Sequence, residues 1–265
     1  MTPLYFGTTP RRLFGVYSPP RTDVLAARAA VLCYPWGQEY IRAHRSMRQL
    51  ATMLSAAGYH VLRFDYFGTG DSAGDMVEAD LAGWERDVET AIDELRDTAG
   101  LQQVALVGLR LGATLAAQVA VRRPADIEAL VLWDPVVMGA EYLAEIVATE
   151  ARQNRKGPLG ADRSPGVGGG HEILGFPLTE ALERQVAGLD LTKLIAGFPA
   201  RTRLISSLAL ASHERLRARL LEHARDDVFM ERIDSQLAWL QYQELGAGAV
   251  PARVLERIVK CLECA

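Results

Sequence analysis

The sequence predicts an α/β protein built on a mostly parallel sheet with helices on both faces. Three observations predict it. Continuous apolar runs, such as residues 29–34 (Ala-Ala-Val-Leu-Cys-Tyr) and 129–133 (Ala-Leu-Val-Leu-Trp), read as strands buried on both faces. Segments between such runs carry apolar residues at helical spacing. The two patterns alternate along the first half of the chain, the order that a parallel sheet with crossover helices requires.

Taken in order, residues 4–7 and 12–17 read as an opening hairpin with Thr8, Thr9 and Pro10 at its turn. Strand 29–34 ends at Pro35-Trp36-Gly37. Over 43–57, Met47, Leu50, Ala51, Leu54 and Ala57 lie at helical spacing, and Gly58 closes the helix. Strand 59–65 leads into a loop rich in Gly and Asp, from Tyr66 to Asp75. Helix 80–97 carries the stripe Leu81, Trp84, Val88, Ile92, Leu95. Strand 103–107, helix 111–122 and strand 129–133 follow. The alternation then breaks. Residues 139–153 read as a helix, residues 152–171 show no periodicity, and 177–197 return to helix with Leu182, Val186, Leu189 and Leu194. Strand 201–208, helix 212–225, a last strand near 227–233 and a closing helix 251–262 with Pro251 in its first turn complete the chain. The expected organisation is a core over 1–138, a cap insertion over 139–197, and the rest of the core over 198–265.

The 265 residues suit one α/β domain with an insertion. A net charge of −4 and a pI near 5.8 argue against a nucleic-acid partner. The sequence contains no apolar run of the roughly 20 residues a bilayer span needs. The first residues, Met-Thr-Pro-Leu-Tyr-Phe, carry neither a basic region nor a long apolar stretch, so a cytoplasmic location is expected. Cys33 lies in an apolar strand and reads as a small buried hydrophobe. Cys261 and Cys264 form a CxxC at a helix end, without the additional ligands or strand–helix context of a metal or redox site. Neither a cofactor nor a metal is expected. The partner expected is a small molecule, anionic or acyl, and a homodimer is left open.

The chemistry-bearing motif is Val-Ala-Leu-Val-Gly-Leu-Arg-Leu-Gly-Ala (residues 104–113). An apolar strand, a turn between Gly108 and Gly112 and a helix rich in small residues form the frame of a nucleophile elbow, Gly-x-Ser-x-Gly. That frame exposes its central residue above the sheet. Here the central residue is Arg110. A guanidinium stays protonated and cannot attack a carbonyl.

Around this motif the chain resembles a known family. Asp65, Gly68, Gly70 and Ser72 match the Asp-x-x-Gly-x-Gly-x-Ser loop of α/β-hydrolases of the serine aminopeptidase and lysophospholipase branch, and Cys33–Glu39 is similar to their strand and oxyanion loop, with Pro35-Trp36 for the usual His-Gly. Residues 108–113, Leu-Trp-Asp-Pro-Val-Val-x-Gly (132–139) and Trp-Leu-Gln-Tyr-Gln-Glu (239–244) look like the exosortase A system-associated hydrolase group, whose type 2 members carry arginine at the elbow. The resemblance implies the α/β-hydrolase fold and, by association only, an exopolysaccharide or surface-protein sorting setting.

A Ser-His-Asp site needs its acid after strand 201–208 and its histidine after the last strand. Residues 209–214 (Ala-Leu-Ala-Ser-His-Glu) contain no Asp, and no histidine follows His223. His213 and His223 fall on the predicted helix 212–225. What replaces the triad is expected to be electrostatic: Arg110 as the fixed cation, with Glu39, Asp134 and Glu244 as acid/base groups. Trp36, Gly37, Leu111 and Trp239 are the expected substrate-binding residues, with backbone N–H groups near Trp36 and Leu111 as oxyanion donors. The chain then acts on an acyl, ester or carboxylated substrate. Two other readings stand beside it: a non-catalytic binding or accessory protein, in which Asp134 or Glu39 closes Arg110 into a structural ion pair, and hydrolysis through a relocated nucleophile, Ser206 or Ser207. Asp65 is expected to hold loop 66–72.

Overall fold

The computed structural model describes residues 1–21, 28–154, 170–223, 228–234 and 250–263. Two antiparallel strands open the chain, β1 (Thr2–Thr8) and β2 (Arg11–Ser18). They are followed by β3 (Arg28–Cys33), α1 (Gln38–Ala56), β4 (Tyr59–Phe64), α2 (Leu81–Ala99), β5 (Val104–Leu109), α3 (Leu111–Arg122) and β6 (Ile127–Trp133). After α4 (Gly139–Asn154), β7 (His171–Ile173), β8 (Phe176–Leu178) and α5 (Glu180–Ala187), the chain returns to the sheet with β9 (Thr202–Ser206). Helix α6 (Ala211–Glu222), β10 (Phe229–Arg232) and α7 (Ala252–Glu263) complete it.

The eight-stranded sheet runs β1-β2-β4-β3-β5-β6-β9-β10. Strand β2 meets β4 antiparallel, and every pairing from β4 to β10 is parallel. The central strands are apolar because both faces are covered: every residue of β5 is buried, as are Ala129–Trp133 of β6. Cys33 is fully buried in this core, which pushes its thiol up to about 12. Trp84 and Trp133 are also fully buried. Among the described residues, no helix is long and apolar enough to cross a membrane.

Two elements differ from the sequence reading. The helix expected over 43–57 begins at Gln38, because Gly37, at φ 65°, turns the chain directly from the β3 loop into α1. That start places Glu39 in the first turn, where a helix N-terminus favours a carboxylate. The helix expected over 177–197 is instead the end of β8, the short helix α5 and a 3-10 turn over Leu191–Gly197, with β8 paired to β7 just before it. Pro177 sits in β8, Thr179 caps α5, and Asp190 caps the following turn by accepting from the Thr192 N–H. These caps divide one periodic stretch into separate elements.

The glycine loop after β4 is tied around Asp65. Its carboxylate accepts from the Tyr40 hydroxyl at 2.8 Å and the Asp71 N–H at 3.1 Å, while its carbonyl accepts from Ser72 Oγ at 2.6 Å. Asp65 therefore holds the loop. A Cβ on Gly70 would lie 2.1 Å from Asp65 Oδ2, so the carboxylate needs glycine there.

Candidate active site

The elbow forms where β5 passes into α3. Arg110 has φ 53° and ψ −121°, a conformation rare for a residue with a side chain. The turn is held from both sides: the Arg110 N–H donates to the Trp133 carbonyl at 3.0 Å, and its own carbonyl accepts from Ala113 N–H and Val136 N–H. A Cβ on Gly108 would lie 2.4 Å from the Ala113 Cα, and one on Gly112 would lie 2.2 Å from the Tyr34 carbonyl oxygen. Both clashes are with backbone. Gly112→Ala is expected to cost about 1–3 kcal/mol in a urea titration, as overpacking in a rigid core does. An unchanged midpoint would mean that α3 can shift away from β3.

Arg110 is 1% exposed and folds back into the protein. Its Nε donates to Glu39 Oε1 at 2.8 Å, and its Nη2 donates to Glu145 Oε2 at 2.8 Å. The guanidinium carbon lies 5.2 Å from the centre of the Tyr142 ring, within cation–π range. The Tyr142 hydroxyl donates to Glu39 Oε2 at 2.9 Å. Burial alone would lower the Arg110 pKa, but Glu39 and Glu145 overcome it and hold the guanidinium charged. Burial pushes the Glu39 carboxyl above the usual carboxylate range, against the pull of Arg110.

The cation is thus closed by Glu39 from α1 and by Glu145 from α4. The sequence does not single out Glu145. The available signal was spacing: Tyr142, Glu145, Ile146 and Thr149 recur at three and four residues and share one face of α4. With Trp36, Gly37, Gln38, Glu39, Ile173 and Leu174, that face lines a cavity of about 20 Å³, room for one water molecule. Trp36 is buried, and its indole N–H has no hydrogen-bond partner in the described structure. Leu111 opens α3, so its N–H is one of those a helix leaves without an internal partner. A groove of about 510 Å³ lies on another flank, lined by Leu81, Gln118, Arg184 and Leu194, and none of Arg110, Glu39 and Glu145 borders it.

Asp134 does not hydrogen-bond Arg110. At φ 42° it turns its carboxylate to the end of β9, where it accepts from Ser207 N–H at 2.7 Å, Leu208 N–H at 3.0 Å and the Ser207 hydroxyl. Burial raises its pKa, opposed chiefly by the Ser207 hydroxyl bond. The hydroxyl of Ser206 lies 2.7 Å from His213 Nδ1 and 2.7 Å from the Leu208 carbonyl, and His213 Nε2 lies 3.1 Å from the Pro135 carbonyl. Both serines are buried and engaged in joining β6, β9 and α6, which gives neither a nucleophile's exposure. Trp239 and Glu244 lie outside the described residues, as does Cys264. Among the described residues, no group of three His, Cys, Asp or Glu side chains is placed to hold a metal ion.

A mainly parallel sheet with an antiparallel N-terminal edge, and an elbow at the end of its central strand β5, define the α/β-hydrolase fold. Residues 28–158, from β3 through α4, match the family described as serine aminopeptidase, S33. Over 96 residues the chain is 39% identical to the mitochondrial palmitoyl-protein thioesterase ABHD10 of Pongo abelii, covering 36% of this chain and 28% of that protein. Over 116 residues it is 33% identical to the lysophosphatidylserine lipase ABHD12 of Mus musculus, covering 43% of this chain and 28% of that one. The matched stretches therefore span little more than a quarter of these relatives. Est1E from Butyrivibrio proteoclasticus shares the fold across 99% of both chains, with a TM-score of 0.65 at 14% identity.

Proposed function

We propose that this chain is an α/β-hydrolase-fold enzyme that acts on an acyl, ester or carboxylated small molecule without a Ser-His-Asp triad. The observation that carries the reading is a fully buried, permanently charged guanidinium at the nucleophile position, beside a carboxyl whose pKa is raised. Arg110 supplies the fixed positive charge for a substrate anion or a developing oxyanion, and backbone N–H groups near Trp36 and Leu111 add to it. Glu39 is the group to move a proton: it takes one from water as the oxygen adds to the carbonyl carbon, and returns it to the leaving group. Such a route forms no covalent acyl-enzyme. Residues 139–197 act as the cap, with α4 as its contact to the elbow. Trp239 and Glu244 belong to the same proposal, as further members contributed by the stretch after β10. The acyl class is favoured by the thioesterase and lipase names of the relatives.

A second reading has its own observation. The described contacts of the Arg110 guanidinium are with the protein's own carboxylates and Tyr142, and the adjoining cavity holds about one water. That closure favours a non-catalytic binding or accessory protein. The deciding experiment is turnover of acyl esters and thioesters of graded chain length by the wild type, Arg110→Ala and Arg110→Ser. Wild-type turnover that falls about 100-fold or more in Arg110→Ala is expected, the usual effect of losing an oxyanion contact. A wild type inactive on the whole panel would transfer the assignment to the binding protein.

A further inference from the structure

We infer that Glu145 occupies the seat of a ligand carboxylate, and that the elbow admits a monocarboxylate with an apolar body by exchanging it for this side chain. The inference rests on the proposed reading of Arg110 as a ligand-binding cation, and it specifies the ligand.

The two carboxylates on Arg110 are not equivalent. Glu39 comes from a helix of the core, is 9% exposed in its side chain, and has both oxygens bound, one by Arg110 and one by Tyr142. Glu145 comes from the segment inserted between β6 and β9, is 25% exposed in its side chain, and contributes one hydrogen bond to the cluster, to Nη2. Of the two, Glu145 can leave for solvent with little desolvation to undo. Glu39 cannot.

Charge then selects the replacement. Removing Glu145 leaves Nη2 of a buried guanidinium without an acceptor, a costly state unless another anion takes its place. A monocarboxylate restores the same charge and the same acceptor geometry. A neutral alcohol or ester restores the acceptor only. A phosphate dianion adds a further negative charge within reach of Glu39, which like-charge repulsion disfavours. The ground beside the seat suits an apolar body: Trp36, Ile146, Ile173 and Leu174 line the small cavity, which widens as the Glu145 side chain withdraws. Among the buried side-chain polar atoms of this lining, the Trp36 indole nitrogen is the one without a hydrogen-bond partner in the described structure, and it is a donor available to the second carboxylate oxygen.

The test is calorimetric titration of octanoate, octanol and octyl phosphate into the full chain, comparing wild type with Glu145→Ala and Glu145→Gln. Glu145 competes with the ligand, so its removal should tighten octanoate binding by about tenfold or more. Gln, which still offers Nη2 a weaker acceptor, should give a smaller gain, and octanol should change little. In Arg110→Lys/Glu145→Ala the gain should largely vanish, because the planar fork that holds Glu39 on Nε and the ligand on Nη2 is gone. Equal or weaker octanoate binding in Glu145→Ala would overturn the inference. So would an equal gain for octanol, which would mean that only space was released, or a preference for octyl phosphate. Failure of the enzymatic reading is separable: tightened octanoate binding alongside an inactive ester panel would leave the carboxylate seat standing on a binding protein.

Discussion

Arg110→Met is expected to lower the unfolding free energy by about 3–5 kcal/mol, the usual cost of removing one partner from a buried ion pair. The substitution keeps much of the side-chain volume and removes the charge. It leaves Glu39 buried with only the Tyr142 hydroxyl and sets it beside Glu145 with nothing between them to neutralise either. Adding Glu39→Gln should return part of the loss, because the amide keeps a hydrogen bond to Tyr142 without a charge to desolvate. The pH dependence has a definite sign. Burial already raises the Glu39 pKa in the folded wild type, and losing Arg110 raises it further, so the folded variant binds more protons than the unfolded chain. Stability of Arg110→Met should therefore fall as pH rises above the ordinary carboxylate range, with a larger deficit near about pH 8 than near about pH 5. Urea titrations of both variants at both pH values check this. A loss below about 1 kcal/mol, independent of pH, would show that solvent already screens the cluster.

Asp134→Ala should have an effect of similar size for a different reason. The carboxylate accepts from Ser207 N–H, Leu208 N–H and the Ser207 hydroxyl, and alanine leaves those donors buried without a partner. Each orphaned donor costs about 1–3 kcal/mol, so a total of about 3 kcal/mol or more is expected. The left-handed backbone at φ 42° adds to it, since Asp and Asn tolerate that region better than alanine does. Asp134→Asn keeps one acceptor oxygen and the backbone preference, and should lose clearly less. Ser207→Ala removes only the hydroxyl bond and should cost about 1 kcal/mol. Equal destabilisation by Ala and Asn would mean that charge, rather than bond count, holds β6 to β9 here.

The sheet was legible because its strands are buried on both faces, and burial of that kind writes itself as uninterrupted apolar runs such as Val104–Leu109 and Ala129–Trp133. The elbow was legible because Gly108 and Gly112 are dictated by close backbone approach, whatever residue stands between them. The site was less so. Glu39 and Arg110 are 71 residues apart, and their meeting depends on how α1 starts, which Gly37 decides through a backbone angle. Asp134 directly follows the last residue of β6, but the direction of its carboxylate follows from the turn at φ 42°, and that turn has no periodic signature. Glu145 sat in plain view on the Tyr142–Thr149 face of α4. That spacing marks a face of α4 but does not say which element the face meets. The β7/β8 hairpin escaped because three-residue strands are too short to show alternation.

The closed elbow also bears on how fast anything can reach it. One guanidinium against two carboxylates leaves the cluster formally negative, so Arg110 casts no positive field into the surrounding solvent. An approaching anion is not drawn in from a distance, and encounter gains nothing from low ionic strength. Selection happens at the moment of exchange, when one carboxylate leaves Nη2 and another arrives. On that inference the frequency with which the Glu145 side chain leaves Nη2, rather than diffusion, becomes the clock of the site.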